Sequence, residues 1–398
     1  VTTAVVPVFD ALPGGPRVRA WRAARWAAFV APSARAAAFR HTPLRALLDV
    51  EHPANPAFYA SPRPDALTLV DGRLAGRPAL PPGVTVTDLG DGLDADVVPG
   101  ASAPGLHDAL DPWADAWLAG GLALTVTGDV AIDLDLLGAA ADGVRSSRVS
   151  VAVAPGARLV LLERGVAGGG GSQVVRTDVE LGAGAVVEHL IVGSPAPTTL
   201  RTVDVRVGDG ADYALTSVAS GGSWSRLGAD VRLVGAGARA RVATVALVTT
   251  GQHVDHTVRA HHVAPGGASE EVGRAVASGG GRAVWASRAV VGDGARGADV
   301  RQEARGMLLD GASRVTQDPQ LEIHVDEVRA SHGATVGRLD PEALFFLRAR
   351  GIPLALARRE LTQAFVTTAV DALRDERLRD VAAEAVRERL VAVVEGAR

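Results

Sequence analysis

The chain has 398 residues, 41 basic and 45 acidic side chains and a formal charge of −4, with no cysteine, no lysine and one methionine, Met307. Without cysteine the chain offers no disulfide, no thiolate nucleophile and no sulfur ligand for an iron–sulfur cluster, and without lysine it has no Walker A loop and no Schiff base. The near-balanced charge does not suit a nucleic-acid or anionic-membrane binder, and no apolar run reaches the roughly 18 residues of a membrane span.

The first 16 residues lack the basic start and apolar block of a signal peptide, so a cytoplasmic location is expected. Trp21, Arg25, Ala28 and Phe29 follow helical spacing and predict a helix over 16–30, with a second over 33–40 and Pro32 and Pro43 as punctuation. Pro53, Pro56, Pro62 and Pro64 mark a linker over 52–64, which closes an N-terminal helical region, 1–64. A mixed α/β region, 65–147, follows and carries an acidic, Trp-bearing helix near 105–118.

From 148 to 339 the expectation is nearly all strand. Val149-Val151-Val153, Val203-Val205-Val207 and Val231-Leu233 alternate with period two. Glycine turns recur with their second glycines at Gly156, Gly184, Gly210, Gly237, Gly267 and Gly294, in steps of 26 to 30 residues. A near-constant step of that size marks a stacked repeat, because a unit with one apolar face must bury it on its neighbours. A parallel β-helix fits best; a β-sandwich is the alternative, although its turns fall more often every 8–12 residues. Gly235-Ala-Gly237-Ala-Arg-Ala240 imitates a dinucleotide fingerprint, but the β-rich run after it denies the helix that fingerprint needs.

Four of the ten histidines, His253, His256, His261 and His262, lie within ten residues. On one strand His256 and His262 share a face and His253 and His261 the other, which is not a tight metal-ligand geometry. Hydrogen-bonded coil residues are the plainer reading and a chemical role the sharper one. The segment 320–337 is the densest in polar groups. Read as one strand, it gives His324, Asp326, Val328, Ala330 and His332 the same parity. Ser331 and His332 face apart and make a poor nucleophile–base pair.

The tail, 340–398, is helical. Asp340 is an N-cap with Pro341 at the first helical position, Gly351 ends that helix, and Pro353 starts the next. Leu354, Ala357, Leu361 and Phe365 line one apolar face; Leu378, Ala382, Val386 and Leu390 line that of a further helix. These stripes bury either against each other or against a partner.

The run from Asp318-Pro-Gln-Leu-Glu-Ile through Ala330-Ser331-His332-Gly333-Ala334-Thr335-Val336-Gly337 to Leu344-Phe345-Phe346-Leu347-Arg348 and Arg350-Gly351-Ile352-Pro353 resembles the SufB/SufD family of iron–sulfur cluster assembly proteins, the SufD branch more closely. His256-Thr257, His261, Pro265, Gln302 and Phe39-Arg40-His41-Thr42-Pro43-Leu44 add to the resemblance. It implies a mainly β fold, a right-handed parallel β-helix flanked by N- and C-terminal helical regions. It implies a non-catalytic scaffold subunit that pairs with a SufB-like chain through the β-helix ends and binds a SufC-like ATPase through the C-terminal helices. In this chain the latter surface corresponds to Pro341, Leu344, Phe345, Arg350, Gly351, Pro353 and Phe365. An iron–sulfur cluster would be built transiently at the shared interface and passed to apo-proteins, with none bound by the isolated chain. His332 is the implied ligand, within an interface motif of Ser331, Gly333, Ala334, Thr335 and Gly337; His253, His256, His261, His262 and His324 are secondary candidates. Many relatives carry cysteine two residues before that histidine, where this chain has Ala330, so the imidazole is left to carry this chain's share of the chemistry.

Two other classes compete. A β-helix polysaccharide lyase would use Asp and Arg on a groove wall, but the chain has two tyrosines, Tyr59 and Tyr213, and no aromatic sugar platform. A purely structural solenoid would pack its terminal helices on itself and bind nothing.

Overall fold

The computed structural model describes Leu12 and residues 15–29, 63–90, 110–138, 143–167, 170–193, 196–219 and 221–396. The helix expected over 33–40, the 39–44 element and most of the proline-rich linker lie outside these residues. Helix α1 (Pro16–Ala28) stops two residues short of its expected end and packs beside α2 (Asp111–Ala116), which lies within the span 105–118 where a helix was expected and ends before Leu118. Trp26 meets Trp117 edge-on at 6.0 Å. Between the two helices come the short strands β1 (Leu67–Val70), β2 (Arg73–Gly76) and β3 (Val84–Asp88).

Among the described residues sixteen strands then wind as a parallel solenoid, two per coil. They are β4 (Leu118–Val126) and β5 (Asp129–Gly138), β6 (Val144–Val153) and β7 (Arg158–Ala167), β8 (Ser172–Leu181) and β9 (Val186–Val192), and β10 (Thr198–Val207) and β11 (Asp212–Ala219). The later coils are β12 (Trp224–Leu233) and β13 (Arg239–Val248), β14 (His253–His262) and β15 (Ala268–Ala277), β16 (Arg282–Val291) and β17 (Ala298–Leu308), and β18 (Arg314–Ile323) and β19 (Val328–Arg338). Even-numbered strands stack into one sheet, ended by β3, and odd-numbered strands into a second, ended by β1 and β2. The coiled strands begin at Leu118, well before the expected 148, so the solenoid reaches back into the region expected to be mixed.

Pairing is in register from coil to coil, so equivalent positions form columns. Val153, Leu181, Val207, Leu233, His262, Val291 and Ile323 make one inward-facing column. The period-two valines are the inward half of each strand, and stacking them builds a continuous interior core from Leu122 to Val258. The corners rest on left-handed glycines at Gly156, Gly184, Gly210 and Gly237, as the sequence spacing indicated, and then at Gly266 and Gly297 rather than at Gly267 and Gly294. Each of these glycines donates its N–H to the carbonyl just before the equivalent position one coil on: Gly156 to Ala183, Gly184 to Asp209, Gly210 to Ala236, Gly237 to Pro265, Gly266 to Arg296 and Gly297 to Glu327. A corner ladder thus continues the sheet hydrogen bonding through the turns.

The chain then leaves the solenoid as three helices, α3 (Pro341–Ala349), α4 (Leu354–Val370) and α5 (Glu376–Glu395). Asp340 caps α3 by accepting from Glu342 N–H at 2.8 Å, and Gly351 takes φ 82° to end the run. Helices α4 and α5 fold back over the outer face of the odd sheet. There Val366, Ala369, Val370, Leu378, Ala382, Val386, Leu390 and Val393 join Val160, Leu162, Leu190, Val245, Leu247 and Val276 in a second core. The stripe expected on α5 is the buried one. On α4 it is displaced: Ala357, Thr362, Val366, Ala369 and Val370 are buried, while Leu354 is exposed and Leu361 and Phe365 are half-buried.

Candidate functional site

The two ends of the solenoid differ. At the first, antiparallel strands β2 and β3 close the two sheets. At the other, among the described residues, β18 and β19 each pair on one side only, with β16 and β17. Strand β19 is eleven residues long, and every residue after Val328 is exposed. An edge of this length offers its free N–H and C=O groups to another strand, the liability proteins usually blunt with charge or proline. Pro319 does so on β18; β19 holds no proline. Around Gly333 and Gly337 nothing lies within 4 Å of a would-be Cβ, so backbone there is open to close approach.

His332 stands in the middle of this edge, in register with the inward-facing Gln302 of β17. Ser331 pairs with Arg301 and Gly333 with Glu303, both on the outward side, so Ser331 and His332 do face apart. Ala334 and Val336 share the His332 face, while Thr335 and Gly337 share the face of Ser331. The segment 320–337 is not one strand, as the sequence reading had it. It bends at 324–327, because β18 must hand over to β19 in the other sheet. His324 therefore falls on the corner, where its Nε2 meets Glu322 Oε1 at 2.9 Å, and is separated from His332 by the turn.

The other histidines lie deeper. Strand β14 runs unbroken from His253 to His262, so the parity argument holds: His256 and His262 face inward and are buried. Burial holds both imidazoles neutral, with pKa values pushed down to about 4, for His262 aided by neighbouring His261. Ser269 Oγ donates to Glu271 Oε1 at 3.3 Å, so His262 Nε2, 2.8 Å away, donates to that hydroxyl. On the outward face, His261 lies 3.7 Å from the buried Asp230, and burial depresses the pKa of His253. Among the described residues no three metal-ligating side chains gather. Among the described residues His332 is thus not part of a cluster of three such groups.

Two inward-facing polar groups were not evident in the sequence. In mid-solenoid, Glu163 accepts from Arg201 at 2.7 Å and Thr177 at 3.0 Å and lies 3.4 Å from His189, whose Nδ1 meets the Tyr213 hydroxyl at 3.0 Å. Burial opposes ionisation of Glu163, but His189 and Arg201 outweigh it and bring the carboxyl down to about 2. Nearer the open end, Glu271 accepts from Ser287, Ser269 and Gln302, and burial raises its pKa. The signal for both groups was an acidic or amide residue at inward parity on an otherwise apolar strand, which becomes readable once the pairing register is known.

The residues of the implied ATPase surface divide. Pro341 and Phe345 are on α3, which buries none of its residues, and Arg350 caps its C-terminus; Phe345 is 74 % exposed and Phe346 53 %, and together with Glu342 and Ala349 they frame a shallow groove. The Arg350 guanidinium stacks 3.4 Å from the Phe346 ring centroid. Leu344 is half-buried; Gly351 and Pro353 form the link to α4. Phe365 packs against the core beneath α4 and α5 instead of joining the exposed face.

A parallel two-sheet solenoid with one closed end, one open end carrying a histidine, and helices folded along its side defines a β-solenoid scaffold. The SUF-system iron–sulfur cluster assembly SufBD core domain matches residues 136–365, and the chain belongs to the SufB/SufD family. It is 27 % identical over 379 residues to the iron–sulfur cluster assembly protein SufD of Escherichia coli K12, covering 88 % of each chain. It is 32 % identical over 198 residues to an iron–sulfur cluster assembly SufBD family protein of Mycobacterium tuberculosis H37Rv, 48 % of each chain. It is also 30 % identical over 190 residues to the chloroplastic protein ABCI7 of Arabidopsis thaliana, 48 % of this chain and 40 % of that one. A role in iron–sulfur cluster assembly follows from this membership.

Proposed function

We propose that the chain is the SufD-type scaffold subunit of a SUF assembly complex, carrying out no chemistry of its own. The observation that carries this reading is the uncapped β18–β19 end, which pairs a long free strand edge with an exposed, inward-parity His332. A SufB-like chain adds its own end coil to this edge by backbone hydrogen bonding, and the open interiors of the two solenoids face each other. Iron and sulfide are cargo at that junction. His332 offers an imidazole nitrogen lone pair to iron, and thiolates come from the partner, which suits a chain with no cysteine. The groove beside Phe345 and Phe346 docks a SufC-like ATPase, since this chain lacks the lysine of a Walker A loop.

Co-expression with SufB- and SufC-like partners tests the reading. A stable complex that loses bound iron and visible absorption in the His332→Ala variant is the expected result. Full iron in that variant, or no complex at all, would overturn it.

A further inference from the structure

One inward-facing column of the odd sheet runs Leu161, His189, Leu215, Val242, Glu271, Gln302 and His332, each in register with the next. Its last three members, nearest the open end, are all polar. Gln302 is 3 % exposed. Its Nε2 donates to Glu271 Oε2 at 2.6 Å and to Ser287 Oγ at 2.9 Å, with the Gln320 carbonyl also in reach at 3.3 Å. Both amide hydrogens are therefore engaged, and that fixes which way round the amide lies. Its Oε1 is left buried with no hydrogen-bond partner. A buried acceptor in that state calls for a donor. The next residue on the same face is His332, and in-register neighbours in adjacent strands stand about 4.8 Å apart.

We propose that Gln302 is the positioning residue for His332: in the assembled complex its Oε1 accepts one imidazole N–H. This rests on the reading of His332 as an iron ligand. A histidine that binds metal through one nitrogen commonly anchors the other N–H on a carbonyl or carboxylate, which sets the tautomer and the ring orientation. Here Glu271 and Ser287 hold the amide from behind, so the acceptor is fixed before iron arrives. The remaining ring nitrogen then faces out of the solenoid mouth, where the partner's ligands lie.

The test uses the full chain, labelled with 15N-histidine and purified with its partner subunits; the His332 signals are assigned by their loss in His332→Ala. A single His332 tautomer in the wild-type complex is the expected result. Gln302→Met, which has no amide oxygen, should let both tautomers interchange and lower iron affinity by roughly tenfold. Gln302→Glu, which keeps an acceptor, should hold the single tautomer. A freely interchanging His332 in the wild type overturns the inference even if every variant misfolds, and so does a Gln302→Met complex with wild-type tautomer and iron. Full iron in His332→Ala would instead overturn the ligand reading, while the tautomer measurement still decides whether Gln302 holds the ring.

Discussion

The indole ring of Trp285 occupies the space that a side chain at Gly273 would need: a Cβ built there lies 2.6 Å from Trp285 Cδ1 and 2.6 Å from its Nε1. The two residues face each other across the solenoid interior, Gly273 on β15 and Trp285 on β16. Gly273→Ala therefore overfills a close-packed interior, and we expect a loss of about 1–3 kcal/mol. Urea denaturation checks it. The midpoint should fall with an unchanged slope, and a wild-type midpoint would mean that the ring has room to move.

At Gly237 the constraint is of the other kind. Nothing lies within 4 Å of its would-be Cβ, yet its φ is 65°. The cost of Gly237→Ala is conformational, about 1–2 kcal/mol, and Gly237→Asn should recover part of it because Asn tolerates the left-handed region. Equal destabilisation by Ala and Asn in the same denaturation experiment would show that space matters more than backbone strain.

These two glycines show what was legible in the sequence and what was not. Gly237 belongs to a spacing that repeats because each coil needs one left-handed corner, so the solenoid could be read from it. Gly273 breaks no pattern; its role exists only because Trp285 of the other sheet lies across from it. The same division runs through the site. The faces of His256 and His262 were readable because β14 runs straight, whereas His324 was misplaced because nothing local announces the bend at 324–327. On α4 the expected stripe was displaced because the buried face is set by two neighbours at once, α5 and the odd sheet. Gln302 stood out in the sequence only by resemblance; its engagement with Glu271 depends on coil-to-coil register.

Acid should weaken the fold through its neutral interior histidines. His256 and His262 titrate near 4 when folded, against about 6.5 in the unfolded chain, so between those values the unfolded state binds more protons. Stability is thus lost as pH falls from about 6.5 to about 4, by up to roughly 3 kcal/mol for each residue. Glu271, whose carboxyl pKa is raised by burial, works in the opposite sense, and the Glu163 contribution is lost only as pH falls below about 4.5 towards 2. In His256→Leu the curve of stability against pH should be shallower over the histidine window. Parallel curves for variant and wild type would contradict a neutral, buried His256.

The carboxylate of Glu188, on the outer face of β9, holds the turn between α4 and α5 to the solenoid. It is buried and accepts the backbone N–H groups of Arg374 and, at 3.1 Å, of Asp375, while Arg374 also pairs with Asp212 at 2.8 Å and Arg377 with Asp133. Asp375 in turn caps α5 by accepting from Leu378 N–H. Glu188→Ala leaves two N–H groups without their charged acceptor, at a cost of about 2 kcal/mol. Hydrogen exchange should quicken at the start of α5 before it does in the sheets. Uniform exchange across helices and sheets would mean that the apolar contacts hold the helices without this anchor.

His332 and Phe345, by contrast, should be dispensable for folding. Both are exposed, His332 on an edge strand held through its backbone to β17 and Phe345 on a helix that buries none of its residues. A surface substitution away from caps, cavities and buried partners stays within about 0.5 kcal/mol. His332→Ala and Phe345→Ala should therefore keep the denaturation midpoint of the isolated chain, while under the proposed function the first lowers the iron held by the complex and the second weakens docking of the proposed ATPase. Phe365→Ala supplies the contrast, because that ring packs on the core beneath α4 and α5 and its loss should lower the midpoint. A clear drop in stability from Phe345→Ala would show that α3 rests on the rest of the chain, and the groove beside it would then be part of the fold rather than a docking surface.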